Sequence, residues 1–110
     1  MISVLMSTYN GKKYIIEQLN SLIQQTTSAD EVVICDDCST DNTVELINEF
    51  VQEHELTGKW SVYINEVNLG YKENFKKGIE LVKGDYIFFC DQDDVWMPKK
   101  IESSLEEFEE

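Results

Sequence analysis

Four short apolar segments alternate with amphipathic segments along this chain, and that alternation constrains the fold more than any other feature of the sequence. Segments 2–8, 31–36, 60–64 and 86–90 are rich in β-branched and aromatic residues, a composition typical of buried strands. The segments that follow them repeat apolar residues at helical spacing. The alternation predicts an α/β fold, with an open, mainly parallel sheet and helices on both of its faces.

Local signals between the strands set the predicted helix boundaries. Helices are predicted over 13–25 and about 72–83, another begins after the turn 37–43, and a last one holds Pro98 in its first turn. Gly84 follows the third helix, where a C-cap with a positive φ is expected. No repeat or linker-like stretch divides the chain, so residues 1–110 are expected to form one structural unit.

The charge and cysteine content argue against several classes of partner and site. The chain has 22 acidic and 9 basic residues, a formal net charge of −13, which disfavours binding to nucleic acid or to anionic lipid. Three cysteines, an odd number, indicate reduced thiols. No apolar run approaches the ~20 residues that a bilayer requires, and no signal peptide is visible. We expect a cytoplasmic protein whose membrane contacts, if any, involve regions outside these residues.

Polar side chains follow three of the four predicted strands, at the point where each strand ends. Ligands of open α/β sheets bind beyond the carboxyl ends of the strands, so we expect these side chains to converge on one rim. They are Ser7, Thr8, Tyr9 and Asn10 after the first strand, Asp36 and Asp37 after the second, and Asp91, Gln92, Asp93 and Asp94 after the fourth.

The carboxylates after the fourth strand indicate a metal site for a phosphorylated ligand. Three carboxylates within four residues repel one another unless a cation lies among them. Mg²⁺ and Mn²⁺ prefer oxygen ligands and often bind through one or two carboxylates plus phosphate. Asp93 is the candidate ligand of such an ion, and Asp91 or Gln92 is a candidate to bind a ribose. The alternative is an acidic turn in solvent.

The other two strand ends suit the recognition of a nucleotide. The ring of Tyr9 is able to stack on a base, and its hydroxyl to bond it. Asp36 or Asp37 is able to accept from a base N–H group or from ribose hydroxyls. The alternatives are a tyrosine packed at the rim and aspartates favoured by the dipole of the following helix. Neither a G-x-G-x-x-G motif after the first strand nor a G-x-x-x-x-G-K-[ST] motif is present.

Several blocks of this sequence, in this order, resemble glycosyltransferase family 2. They are Ser3-Val4-Leu5-Met6-Ser7-Thr8-Tyr9-Asn10-Gly11, the turn from Asp36 to Thr43, Asn68-Leu69-Gly70, and the stretch from Gly84 to Trp96 with its Asp91-Gln92-Asp93. The resemblance implies a Rossmann-like GT-A fold and an inverting transfer from a nucleotide-diphosphate sugar to a saccharide or lipid-linked saccharide acceptor. The blocks are most similar to rhamnosyltransferase-like enzymes and to enzymes of cell-wall and capsule polysaccharides.

The resemblance also implies roles for individual residues. Ser7, Thr8 and Tyr9 correspond to the end of the first strand that lines the nucleotide pocket, and Asp37 to the acidic residue that reads the base. Asp91-Gln92-Asp93 corresponds to the D-x-D motif, with Asp93 in the position that binds Mg²⁺ or Mn²⁺ and Asp91 and Gln92 beside the nucleotide sugar. Two departures stand out: Ser7 replaces a common proline, and Cys38 a common glycine. The second loosens the expectation that this turn needs a positive φ.

The resemblance places the acceptor site and the general base further along the chain than the D-x-D segment. Residues 1–110 are therefore expected to be the truncated, donor-binding portion of the transferase domain, which binds nucleotide weakly without turnover. Two alternatives stay open. One is a non-catalytic module that binds nucleotide sugars. The other is a phospho-receiver domain, which needs a lone acidic residue at the end of the third strand, where Trp60 to Asn65 supply none.

Overall fold

The computed structural model describes residues 1–91 and 95–109, and within them strands and helices alternate in the predicted order. The elements are β1 (Ile2–Thr8), α1 (Ile15–Ile23), β2 (Glu31–Asp36), α2 (Thr43–Glu53), β3 (Trp60–Ile64), α3 (Tyr71–Ile79), β4 (Tyr86–Asp91) and α4 (Lys100–Glu109). The first three strands end where the sequence predicts, because polar residues or glycine interrupt each β-branched run. The helices α1 and α3 are shorter than predicted.

The strands form one parallel sheet in the order β3-β2-β1-β4, which confirms the predicted α/β fold. Ser7 of β1 lies opposite Cys35 of β2 on one side and opposite Asp91 of β4 on the other. The carboxyl ends of these three strands therefore meet at one edge of the sheet, as the position of the polar residues requires.

Helices cover both faces of the sheet, because alternate residues of each strand point to opposite sides. One face carries a core that includes Val4, Met6 and Ile34 and packs against residues of α1, α2 and α4. The other face carries Leu5, Val33 and Cys35, with Phe75 of α3 packed against them. The side chain of Leu5 lies so close to Gly78 of α3 that a Cβ there would overlap it, which brings α3 tightly onto β1.

The strand β3, at one edge of the sheet, has Trp60 as its one buried residue. The expectation of a buried strand is wrong for β4, at the other edge. Of its residues only Cys90 is buried, and Phe89 is 51% exposed. The reason is position: among the described residues, β4 has a hydrogen-bonded neighbour only on its β1 side.

The expectation of a positive φ at Gly84 is also wrong, because α3 already ends at Ile79. A glycine is needed at position 84 because a Cβ would lie 2.8 Å from the carbonyl oxygen of Met1. Cys38, in contrast, has a φ of +64°, so the turn after β2 is left-handed although it lacks a glycine.

Candidate functional site

A cavity of about 230 Å³ lies at the carboxyl ends of β1 and β4, and its lining residues are Ser7, Tyr9, Tyr71 and Asp91. The parallel register puts Ser7 opposite Asp91, so their side chains share the α3 face of the sheet. Three of the four lining residues were predicted as site residues. Tyr71 was not, although it follows the Asn68-Leu69-Gly70 block directly; it lines the cavity from the start of α3.

A second cavity of about 420 Å³ continues from the first between α3 and β4, and the two share Tyr71 and Asp91. Its floor is aromatic: Phe75 lies edge-on to both Tyr71 and Phe89, with ring centroids 5.6 and 5.4 Å apart. Lys72 and Lys76 also line it. The two cavities form one groove that combines an apolar wall with a few polar and charged groups, the composition of small-molecule sites.

Asp37 is buried beside this groove and holds the loop that leads into α3. It is 3% exposed. Its Oδ1 accepts from the backbone N–H of Leu69 at 2.7 Å and from the amide of Asn65 at 3.0 Å. Its Oδ2 accepts from the N–H of Gly70 at 2.9 Å and has capacity for one more donor. The carboxylate thus stabilises the start of α3, where the helix dipole favours negative charge. Its predicted contact with a base stays a prediction.

Asp36 and Thr8 belong to the opposite face of the sheet from Ser7. The Oδ1 of Asp36 accepts from the hydroxyls of Thr8 and Ser39 at 2.7 and 2.6 Å, and its Oδ2 accepts from the N–H of Ser39. Both Asp36 and Thr8 are buried. Their side chains therefore close the turn after β2 and are not among the residues that line the cavity. The predicted ligand contact of Thr8 stays a prediction.

The loops after β1 and β2 are joined by Asn10, which is also left-handed, with a φ of +48°. Its Oδ1 accepts from the N–H of Thr40 at 2.8 Å, and its own N–H donates to the hydroxyl of Ser39 at 2.9 Å. Nearby, burial raises the pKa of the Asp41 carboxyl. Hydrogen bonds from Thr43 and Lys12 lower this pKa by more than burial raises it, so the net shift is downward.

A buried amide network connects Ser7 with Asp37 and was not predicted from the sequence. The Nδ2 of Asn74 donates to the Oγ of Ser7 and to the carbonyl of Cys35, each at 2.8 Å. The Oδ1 of Asn74 accepts from Asn65 at 2.8 Å, and Asn65 also donates to Asp37. Lys77 donates to the Oδ1 of Asn65 at 2.6 Å. Burial raises the pKa of the nearby Cys35 thiol, and the charge of Lys77 partly offsets this rise.

The end of β4 is held from the other face of the sheet. The side-chain amide of Gln18 in α1 is buried and donates to the backbone carbonyl of Asp91. Gln92 and Asp93, the remaining residues of the predicted D-x-D site, lie outside the described residues. Among residues 1–91 and 95–109, no group of three His, Cys, Asp or Glu side chains is arranged to bind a metal.

The family model of glycosyl transferase family 2 matches residues 3–110 of this sequence. The chain belongs to glycosyltransferase family 2. A dTDP-rhamnosyl transferase of this kind, RfbG from Shigella flexneri, is 36% identical over 103 residues, which cover 92% of this chain and 36% of RfbG. The chain spans about a third of the length of the curated relatives it matches.

Solved glycosyltransferases have the same fold. Residues 1–349 of S. aureus TarS in complex with UDP superpose with a TM-score of 0.84 and 29% identity, over 98% of this chain and 32% of the 1–349 chain. A mannosyltransferase from Pyrobaculum calidifontis, solved with GDP-Man and Mn²⁺, superposes with a TM-score of 0.80 and 24% identity, over 86% of this chain and 28% of the mannosyltransferase chain. At this identity the similarity is one of fold. These matches confirm the GT-A fold of this family 2 chain. In the described part of the chain, no helix has the length and apolar character of a membrane span.

Proposed function

We propose that this chain binds the sugar donor of a glycosyltransferase, which transfers a sugar from a UDP- or dTDP-sugar to a saccharide or lipid-linked saccharide acceptor with inversion. The observation that supports this is the groove at the carboxyl edge of the sheet, where Ser7, Tyr9 and Asp91 meet from strands far apart in sequence. The relatives support the choice of donor, since RfbG is a dTDP-rhamnosyl transferase and TarS binds UDP. Synthesis of bacterial surface polysaccharide, in the cytoplasm or at its membrane face, is the proposed setting.

The groove offers distinct contacts for the parts of a nucleotide sugar. The rings of Tyr9 and Tyr71 flank the smaller cavity, where a base is able to stack between apolar surfaces. Asp37 lies beside it with an acceptor position on Oδ2 that suits a base N–H. The carboxylate of Asp91 suits ribose hydroxyls. Lys72 and Lys76 line the larger cavity and bring positive charge to a chain whose net charge of −13 would otherwise repel a diphosphate.

Asp93 is proposed to hold Mg²⁺ or Mn²⁺. The described residues fit this assignment, because β4 ends at Asp91, which lines the cavity. The side-chain amide of Gln18 holds the backbone of Asp91 by donating to its carbonyl. The donor set is carboxylate oxygen, which these hard cations prefer. A bound ion of this kind acts as a Lewis acid on a diphosphate leaving group. The base that deprotonates the acceptor is not assigned to any residue of 1–110.

The proposal is tested by titration calorimetry of the full chain with UDP and with dTDP, in the presence and absence of Mn²⁺. We expect metal-dependent binding of at least one nucleotide, weakened by about tenfold or more in Asp93→Ala. Asp85→Ala is the matched control, because it removes the same charge from the exposed opposite end of β4. Equal binding with and without metal would contradict the role of Asp93, and no binding of either nucleotide would contradict the proposed function.

A further inference from the structure

The network of Asn74, Asn65 and Lys77 reaches the wall of the smaller cavity through a single group, the hydroxyl of Ser7. Asn74 is fully buried, and its Nδ2 lies 2.8 Å from the Oγ of Ser7. Ser7 itself lines the cavity. Which of the two residues donates decides what the hydroxyl is able to offer to a ligand.

The direction of each hydrogen bond in this network is fixed by groups whose polarity cannot change. The carbonyl of Cys35 only accepts, so the atom of Asn74 that meets it must be the NH₂ group, which also meets Ser7. The carboxylate of Asp37 only accepts when ionised, and the ammonium of Lys77 only donates. Together they fix the orientation of Asn65, whose NH₂ group therefore faces the Oδ1 of Asn74.

With Asn74 as the donor, the Oγ of Ser7 is an acceptor, and the hydroxyl proton is left to point elsewhere. In the part of the chain that the structure describes, Ser7 makes no side-chain hydrogen bond other than the one from Asn74. The O–H group is therefore left to point into the cavity, which Ser7 lines together with Tyr9, Tyr71 and Asp91.

We propose that Asn74 is a positioning residue that turns the hydroxyl of Ser7 into a hydrogen-bond donor for an acceptor oxygen of the bound nucleotide. The inference rests on the proposed function and adds to it a specificity element. The ligand must present an oxygen acceptor, such as a base carbonyl or a ribose or phosphate oxygen, to this wall of the cavity. Because the same network bonds Asp37, the acceptor and donor faces of the site are held in one fixed relation.

The test measures the affinity of the full chain for UDP and for dTDP, with Mn²⁺ present, in the wild type, Ser7→Ala, Asn74→Ala and the double variant. Loss of one hydrogen bond to the ligand typically weakens binding by about five- to tenfold. We expect each single variant to lose about this factor. The double variant should lose no more than either single variant, because Asn74 acts through Ser7.

Two further variants separate this role from a general loss of stability. Ser7→Thr keeps the hydroxyl and should retain the affinity, which preserves the test if Asn74→Ala does not fold. Ser3→Ala is the matched control: Ser3 is a buried serine on the same strand and face, and its hydroxyl donates to Glu31 at the other end of β1. It should leave the affinity unchanged. In ¹⁵N spectra, nucleotide should shift the side-chain amide of Asn74 in the wild type but not in Ser7→Ala.

The outcomes distinguish the two levels of the proposal. If the wild type binds neither nucleotide, the proposed function fails and the role of Asn74 fails with it. If the wild type binds and Ser7→Ala binds equally well, only the role of Ser7 and Asn74 is overturned. Losses that multiply in the double variant would show that Asn74 acts independently of Ser7, which would overturn its role as a positioning residue.

Discussion

The two sides of the groove are built in opposite ways. At the ends of β1 and β2, buried polar side chains are hydrogen-bonded within the protein. Asp37, for example, accepts from the amide of Asn65 and from two backbone N–H groups. Along β4, in contrast, Ile87 and Phe89 are exposed and apolar. The first side, called the bonded side below, holds its shape before any ligand arrives, because its hydrogen bonds are internal. The second side presents apolar surface for contact and contributes less to the stability of the fold.

One of the two largest expected effects falls on the bonded side. Asp37→Ala removes a buried carboxylate and leaves the N–H groups of Leu69 and Gly70 without their acceptor. We expect a loss of about 3 kcal/mol in the free energy of unfolding, measured by urea denaturation. Asp37→Asn, which keeps one acceptor oxygen, should lose less. Asp85→Ala, at a side chain that is 84% exposed, is the control and should change stability little. Equal losses at Asp37 and Asp85 would contradict the stabilising role of the hydrogen-bonded carboxylate of Asp37.

The second prediction compares apolar residues across the sheet. Leu5→Ala, at a fully buried position against α3, should cost about 3 kcal/mol, because it leaves a cavity in the core. Phe89→Ala removes a larger side chain but should cost only about 1 kcal/mol, since half of it already faces solvent. The measurement is again urea denaturation. A Phe89→Ala variant as unstable as Leu5→Ala would mean that β4 is not an exposed edge in solution.

The sequence predicts the order and position of the strands better than it predicts how deeply each strand is buried. The strands β1, β2 and β3 are visible because β-branched runs and their polar ends are local signals. The exposure of β4 is not a local property. The order β3-β2-β1-β4 decides that β3 and β4 are the outer strands, and Phe89 would have the same neighbours in sequence in a central strand. Edge and central strands are separated by tertiary pairing, which composition does not encode.

The site shows the same division. Ser7, Tyr9 and Asp91 were predictable, because strand ends in a parallel sheet must meet at one rim. Asn74 was not, because a polar residue in a helix is typical of the solvent-facing side, and its partner Ser7 is 67 residues away. The positive φ of Cys38 was not predictable for a related reason. A cysteine does not by itself indicate a positive φ, and the bonds from Asp36 and Asn10 that hold this turn are not visible in the sequence.

The smallest predicted effect concerns that turn and tests how strongly the bonded side is constrained. A cysteine with a φ of +64° is strained by its Cβ, and glycine adopts this conformation without that cost. Cys38→Gly should therefore raise the free energy of unfolding by about 0.5 kcal/mol, after part of the relief is offset by the greater freedom of the unfolded chain. Glu55→Gly, at a φ of +54° beyond α2, should behave alike.

Glu66→Gly is the control for that substitution, because Glu66 is not among the residues with a positive φ. Glycine there adds freedom to the unfolded chain without relieving strain, so it should lower stability. If Cys38→Gly is destabilising while Glu55→Gly is not, the contact of the Cys38 thiol with the carbonyl of Glu66, at 3.6 Å, outweighs the strain. The left-handed turn would then be held by its cysteine and not merely tolerated by it, and the bonded side of the groove would include the Cys38 side chain.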